Sequence, residues 1–96
     1  MKYRIIWDKK PARQIKKFDP QIRRIVKEKV DKLIENPHQY AFLSGSLSFL
    51  RKMDISTPSG QYRVTFSIDE KEGIIGIIFV GPRENFYKEL QRYLGS

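Results

Sequence analysis

Arg63, Arg83 and Tyr87 are the residues of this chain whose types and spacing point to chemistry. Arg63 lies in Tyr62-Arg63-Val64-Thr65-Phe66, and the other two lie in Gly81-Pro82-Arg83-Glu84-Asn85-Phe86-Tyr87. Cations and a phenol at the ends of otherwise apolar strands suit contact with a phosphodiester. RNA is the leading candidate partner, and the question is whether the site cuts or only binds. Competing chemistries have little support. Cysteine is absent, so disulfides and thiol chemistry are excluded. No His/Asp/Glu set has metal-ligand spacing, so no metal or other cofactor is expected. There is no glycine-rich phosphate loop and no Ser-His-Asp arrangement. His38, the one histidine, reads as an ordinary surface residue.

The elements that must position these groups follow from hydrophobic spacing. Residues 3–7 read as a short strand rich in isoleucine and aromatics. Asp8 can cap a helix with Pro11 in its first turn, and Ala12, Ile15 and Phe18 recur at helical spacing. Asp19-Pro20 repeats the start signal. Ile22, Ile25, Val26, Val30, Leu33 and Ile34 then share one face, until Asn36-Pro37 ends the helix. Residues 38–48 form a connecting loop. Residues 49–55 alternate as a strand, with Arg51 on the side of Met53 and Ile55, and Lys52 and Asp54 on the other. After a turn cluster at 56–60, residues 62–68 alternate again, with Arg63, Thr65 and Ser67 on the polar face. Residues 69–73 close a hairpin into the apolar run 74–80, which reads as a central strand covered on both sides. Beyond Gly81-Pro82, the residues Phe86, Leu90 and Tyr93/Leu94 fall at helical spacing, and Gly95 can close that helix.

The expected fold is α+β in the order βααβββα. An N-terminal helical hairpin and a C-terminal helix pack on a small, mostly antiparallel four-stranded sheet. Consecutive antiparallel strands that share one core must also share their polar face, so Lys52 and Arg63 come together. Arg83 leaves the next strand nearby, and Tyr87, four residues on, presents its hydroxyl on the same side. A concave sheet face lined with cations and one phenol is expected.

Composition and charge bound the partners. Ninety-six residues, 40% hydrophobic and 31% charged, fit one globular domain spanning 1–96. The apolar run 74–80 is too short to cross a bilayer, and the apolar run before Asp8 is only three residues long, so neither a membrane span nor a signal peptide is expected. A cytoplasmic location is compatible with the missing cysteines. The net charge of +8 is uneven: residues 1–32 hold twelve lysines and arginines against four acids, and the rest balance. Such a field attracts polyanions. Lys9, Lys10, Arg13, Lys16, Lys17, Arg23, Arg24, Lys27 and, from the strand, Arg51 are therefore the candidate RNA-contacting cations. A solvated helix face and an acidic partner protein are the alternatives.

Over nearly its whole length the chain resembles the RelE/ParE toxin superfamily. The resemblance rests on the basic helical hairpin ending in Glu35-Asn36-Pro37, on Gln61-Tyr62-Arg63-Val64, and on Val80-Gly81-Pro82-Arg83 running to Tyr87. It implies the RelE branch, toxins that cleave mRNA in the ribosomal A site, with an acidic RelB-like antitoxin in a toxin–antitoxin hetero-oligomer. By position, Lys52, Arg63, Arg83 and Tyr87 are similar to that branch's catalytic residues. One departure stands out: Asp54 occupies the place where the branch carries a second strand cation, and the turn at 56–60 looks long. Arg51 could replace the lost charge, but its alternation points it to the other face.

Metal-free RNA cleavage needs an activated 2′-hydroxyl, charge on the phosphate and a proton for the leaving 5′-oxygen. Lys52 and Arg63 would stabilise the phosphorane, Arg83 would neutralise the phosphate or donate a proton to the leaving oxygen, and Asp54 is a further candidate base. Tyr87 would act as base or stack on a nucleobase. The competing reading is a ParE-like toxin that binds gyrase without catalysis; an inactive antitoxin- or RNA-binding relative is the third. Asp54 favours the latter two.

Overall fold

Two periodicities, one of strands and one of helices, are realised in a computed structural model that describes residues 2–95. Its elements are β1 (Arg4–Trp7), α1 (Lys9–Lys16), α2 (Pro20–Asp31), β2 (Arg51–Thr57), β3 (Gly60–Asp69), β4 (Ile74–Pro82) and α3 (Phe86–Leu94). Single 3-10 turns occupy Lys32–Glu35, Pro37–Gln39 and Gly45–Leu47. The strands form one sheet in the order β1-β4-β3-β2, with β1 parallel to β4 and the other pairs antiparallel. This is the expected α+β, βααβββα architecture. Among the described residues, no helix is long and apolar enough to cross a membrane.

Local chemistry sets the helix ends. The Asp19 carboxylate accepts from the Gln21 amide at 3.0 Å and Pro20 opens α2, so a cap and a preset φ start this helix together. Asp8 holds the cap position of α1 in extended backbone, but its side chain makes no capping bond. At the other end of the chain, Gly95 sits at the cap of α3 with its amide on the Gln91 carbonyl.

β4 is covered on both faces, as its continuous apolar run implies. On one face Ile75, Ile77 and Val80 meet Ile15, Ile22, Val26, Val30 and Leu33 of the helical hairpin, with Met53, Ile55, Val64 and Phe66 from the neighbouring strands. Tyr3, Trp7, Tyr40 and Tyr62 pack around this core, as aromatic residues of a structural type should. On the other face Phe79 joins Leu43, Leu47, Leu50, Phe86 and Leu90. A bulge makes this sharing possible. Thr65 pairs with Phe79 but Phe66 pairs with Ile77, which leaves Ile78 unmatched and inverts the alternation of β4. Where β1 ends, the exposed edge of β4 is satisfied from α1: the Gln14 side chain accepts from the Val80 amide at 3.0 Å.

Three expectations are corrected. Strand β2 begins at Arg51, because the Gly45–Leu47 turn continues through a Leu50 amide bond to the Leu47 carbonyl at 3.0 Å; Phe49 is left 61% exposed. The hairpin between β2 and β3 is tight rather than long, with only Pro58 and Ser59 between the strands; the Thr57 hydroxyl donates to the Gly60 carbonyl at 2.8 Å and accepts from the Ser59 amide at 3.1 Å. Ile34, placed on the buried face of the second helix, is exposed, since α2 gives way to a 3-10 turn at Lys32 that rotates it outward.

Candidate active site

Cross-strand register builds the site on the face that also carries Phe79 and Phe86. Lys52 pairs with Thr65, and Asp54 with Arg63; on the far side of β3, Arg63 pairs with Gly81, two residues before Arg83. Directly opposed residues have Cβ atoms about 5 Å apart, so Asp54 and Arg63 meet side by side. The Arg63 Nε donates to Asp54 Oδ1 at 2.6 Å and Nη2 to Oδ2 at 3.4 Å. The side chain of Arg63 is 6% exposed and that of Asp54 44%. Its guanidinium lies 5.1 Å from the Tyr87 ring centroid and 5.9 Å from that of Phe86.

The other three expected residues, Lys52, Arg83 and Tyr87, stand around this pair. Asp54 is held below the ordinary carboxylate range, chiefly by the hydrogen bonds from Arg63; burial opposes the shift, and the charges of Arg63, Lys52 and Arg83 reinforce it. Arg63 is raised in turn, first by the Asp54 hydrogen bond and further by Tyr87. Three cations and one anion thus act on one another, with the exposed Tyr87 at the rim. Arg83 stands in the turn after β4, anchored by its amide on the Gln61 carbonyl at 2.8 Å, and lines a shallow depression of about 440 Å³ with Ser59, Gly60, Gln61, Pro82 and Glu84. Tyr87 is not one helical turn beyond Arg83. Helix α3 starts at Phe86, after Asn85 takes a left-handed φ of 61°, and this reversal swings Tyr87 back over Arg63.

The face is less open than the alternation of β3 implies. Arg63 and Thr65 are buried rather than half exposed, because α3 and the 43–50 loop close over that side. Phe86 and Asp54 are the neighbours that sequence reasoning did not assign to Arg63. The Asp54 contact was nonetheless encoded: counting back from a two-residue turn at Pro58-Ser59 pairs the two residues.

The other cations lie elsewhere. Helix α2 packs on the opposite face of the sheet, so Arg23, Arg24 and Lys27 do not join Lys52, Arg63 and Arg83. Arg24 pairs with Glu28 at 3.6 Å, a solvent-exposed i,i+4 contact worth little. Lys16, Arg23 and Lys27 rim a groove of about 330 Å³ floored by Trp7, Ala12 and Ile15. Lys9, Arg13 and Lys17 are exposed on and just after α1, and Lys10 lies 5.9 Å from the Tyr93 ring centroid. Arg51 projects to the side away from Lys52: Nη1 donates to the Tyr40 carbonyl at 2.7 Å and to the His38 carbonyl at 3.2 Å, and the guanidinium stacks on Phe42 at 4.0 Å. It braces the 38–42 loop. His38 also has a structural setting, since its Nε2 meets Glu70 at 2.5 Å and Tyr3 donates to the same carboxylate at 3.0 Å. Burial and then Glu70 push the Tyr3 phenol up. Among the described residues, no group of three or more His, Asp or Glu side chains is placed to hold a metal ion.

Chemically, the cluster can attract an anion and stabilise added negative charge through Lys52 and Arg83, while Tyr87 offers a hydroxyl and a ring face. Asp54, held low and hydrogen-bonded, is a weak proton acceptor.

The same fold occurs in known toxins. A double arginine-to-alanine variant of Escherichia coli toxin RelE in the free state superposes with a TM-score of 0.74 at 19% identity, over 98% of this chain and 99% of that one. A toxin–antitoxin complex, RelBE2 from Mycobacterium tuberculosis, gives 0.73 at 22% identity, over 86% and 100%. The archaeal RelE–RelB complex of Pyrococcus horikoshii gives 0.62 at 25% identity, over 86% and 97%. No curated protein sequence matches the chain. The family described as ParE-like toxin of type II bacterial toxin–antitoxin system matches residues 5–91. The chain therefore belongs to the ParE-like toxin family, within the RelE/ParE superfamily, and is a type II toxin–antitoxin toxin built on the RelE fold.

Proposed function

We propose that this toxin is a ribosome-dependent, metal-independent endoribonuclease that cleaves mRNA in the A site. The observation that carries the reading is the gathering of Lys52, Arg63, Arg83 and Tyr87 around one carboxylate. In the reaction, the 2′-oxygen attacks the adjacent phosphorus and the P–O5′ bond breaks. The products are a 2′,3′-cyclic phosphate and a 5′-hydroxyl, the proton passing from the attacking to the leaving oxygen. Lys52 and Arg83 stabilise the charge that accumulates on the phosphorane. Arg63, held by Asp54 between the rings of Phe86 and Tyr87, orders the site, and Tyr87 stacks on a nucleobase or hydrogen-bonds the ribose. Asp54, held low by Arg63, is a weak base, so most of the acceleration comes from charge and from ribosomal positioning of the message.

The structural neighbours include RelE–RelB complexes, which supports an acidic RelB-like antitoxin as the partner here. The cationic outer surface of α1 and α2 suits such a chain. One observation favours a second reading, gyrase inhibition without catalysis: Asp54 already neutralises Arg63.

Purified toxin added to translating ribosomes should produce mRNA breaks at codon spacing, and Arg83→Ala should abolish most of them. Intact message together with gyrase-dependent DNA damage would replace the proposal with the second reading.

A further inference from the structure

We propose that Asp54 is an internal occupant of the phosphate site, holding the Arg63 guanidinium where a backbone phosphate would otherwise bind, so that RNA must displace it to engage that arginine. The inference rests on the reading of this cluster as an RNA site and adds a residue that sets its affinity.

The geometry makes the case. A carboxylate and a phosphodiester both present paired oxygens to a guanidinium edge. Here Asp54 takes the Nε/Nη2 edge at 2.6 and 3.4 Å. Phe86 and Tyr87 wall the same group at 5.9 and 5.1 Å. With Arg63 6% exposed and Asp54 44% exposed, the carboxylate is the solvent-facing member of the pair. It lies on an edge strand, β2, where a side chain can change rotamer without moving the sheet. Lys52 and Arg83 both act on Asp54, so an arriving phosphate enters their field at the moment it competes for Arg63. With Asp54 in place the cluster presents three cations against one anion; with Asp54 displaced, all three cations face the ligand.

The test is fluorescence anisotropy with a short, fully 2′-O-methylated single-stranded RNA, which lacks the attacking hydroxyl. Asp54→Asn should bind about tenfold more tightly than wild type, and its affinity should fall more steeply with salt, by about one further phosphate contact. In an Arg63→Gln background the same Asp54→Asn change should gain no more than about threefold, because only the long-range charge effect remains. An equal gain in both backgrounds, or no gain in a protein whose melting curve shows it folded, overturns the proposal. Wild-type protein supplies an independent readout: saturating RNA should shift the Arg63 Nε–H resonance and speed its exchange with solvent, and an unmoved resonance also overturns it. Arg83→Ala separates the two levels. If that variant binds as tightly as wild type, the RNA site itself is wrong. If it binds more weakly while Asp54→Asn gains nothing, only the role of Asp54 falls.

Discussion

Replacing Asp54 with Asn keeps the side-chain shape and removes the charge facing a nearly buried guanidinium. Removing one partner of a fully buried pair costs about 3–5 kcal/mol. Asp54 is 44% exposed, and an Asn oxygen still accepts one hydrogen bond, so the loss at neutral pH should be about 1–2 kcal/mol. For a chain of this size that lowers the melting temperature by roughly 5–10 °C. The sign of the pH dependence follows from the direction of the shift. The folded carboxyl is depressed below the ordinary carboxylate range, so it contributes stability above that range and loses it as pH falls through the lower, folded pKa. Wild type and Asp54→Asn should therefore differ by a constant amount above about pH 5, and the gap should close as the pH falls below the ordinary carboxylate range. Urea unfolding followed by circular dichroism from pH 2.5 to 8 measures the gap. A difference that stays the same at the lowest pH would mean that the substitution acts through packing and not through charge.

Other perturbations test how the site is held. Gln14→Ala strips the partner from the Val80 amide at the end of β1, which should cost about 1–2 kcal/mol in thermal unfolding, whereas Gln21→Ala, at an exposed position, should cost under about 0.5 kcal/mol. Leu90→Ala empties the core that clamps α3 over Arg63 and should cost about 2–4 kcal/mol, while Leu94→Ala, at 39% exposure, should be nearly neutral; equal effects would contradict the packing of α3. Gly73→Ala places a Cβ 3.0 Å from the Lys2 carbonyl at a φ of +66° and should lower stability by about 1–3 kcal/mol in the same melts.

The element order, the helical hairpin and the two-sided burial of β4 were legible in the sequence because each is written as a period. Ile22, Val26, Val30 and Leu33 could only be one face of a helix, and residues 74–80 could only be a strand with a core on each side. Alternation also put Lys52, Asp54 and Arg63 on one face. It did not say that this face is covered. The roof consists of Leu43, Leu47, Leu50, Phe86 and Leu90, drawn from a loop and a helix, and their contact with Phe79 depends on a bulge that inverts the parity of β4. A bulge leaves no signature in a run of isoleucines. Asp54 stood out in the sequence only as an acid where a second strand cation was expected, and the turn after β2 looked long. Once Pro58 and Ser59 are the whole turn, the carboxylate stands directly opposite Arg63. The cations of α2 are a simpler case: their sequence shows a charged outer face, but only the packing shows that it lies across the sheet from Lys52 and Arg83.

The account is tested most directly by the single-turnover rate of mRNA cleavage on programmed ribosomes, measured for wild type, Lys52→Ala, Arg83→Ala and the double variant. Each single change should slow cleavage about 10²–10³-fold, and the double variant should lose less than the product, as expected for two charges acting on one phosphorane. A wild-type rate in Arg83→Ala, or no cleavage by the wild-type toxin, would contradict it.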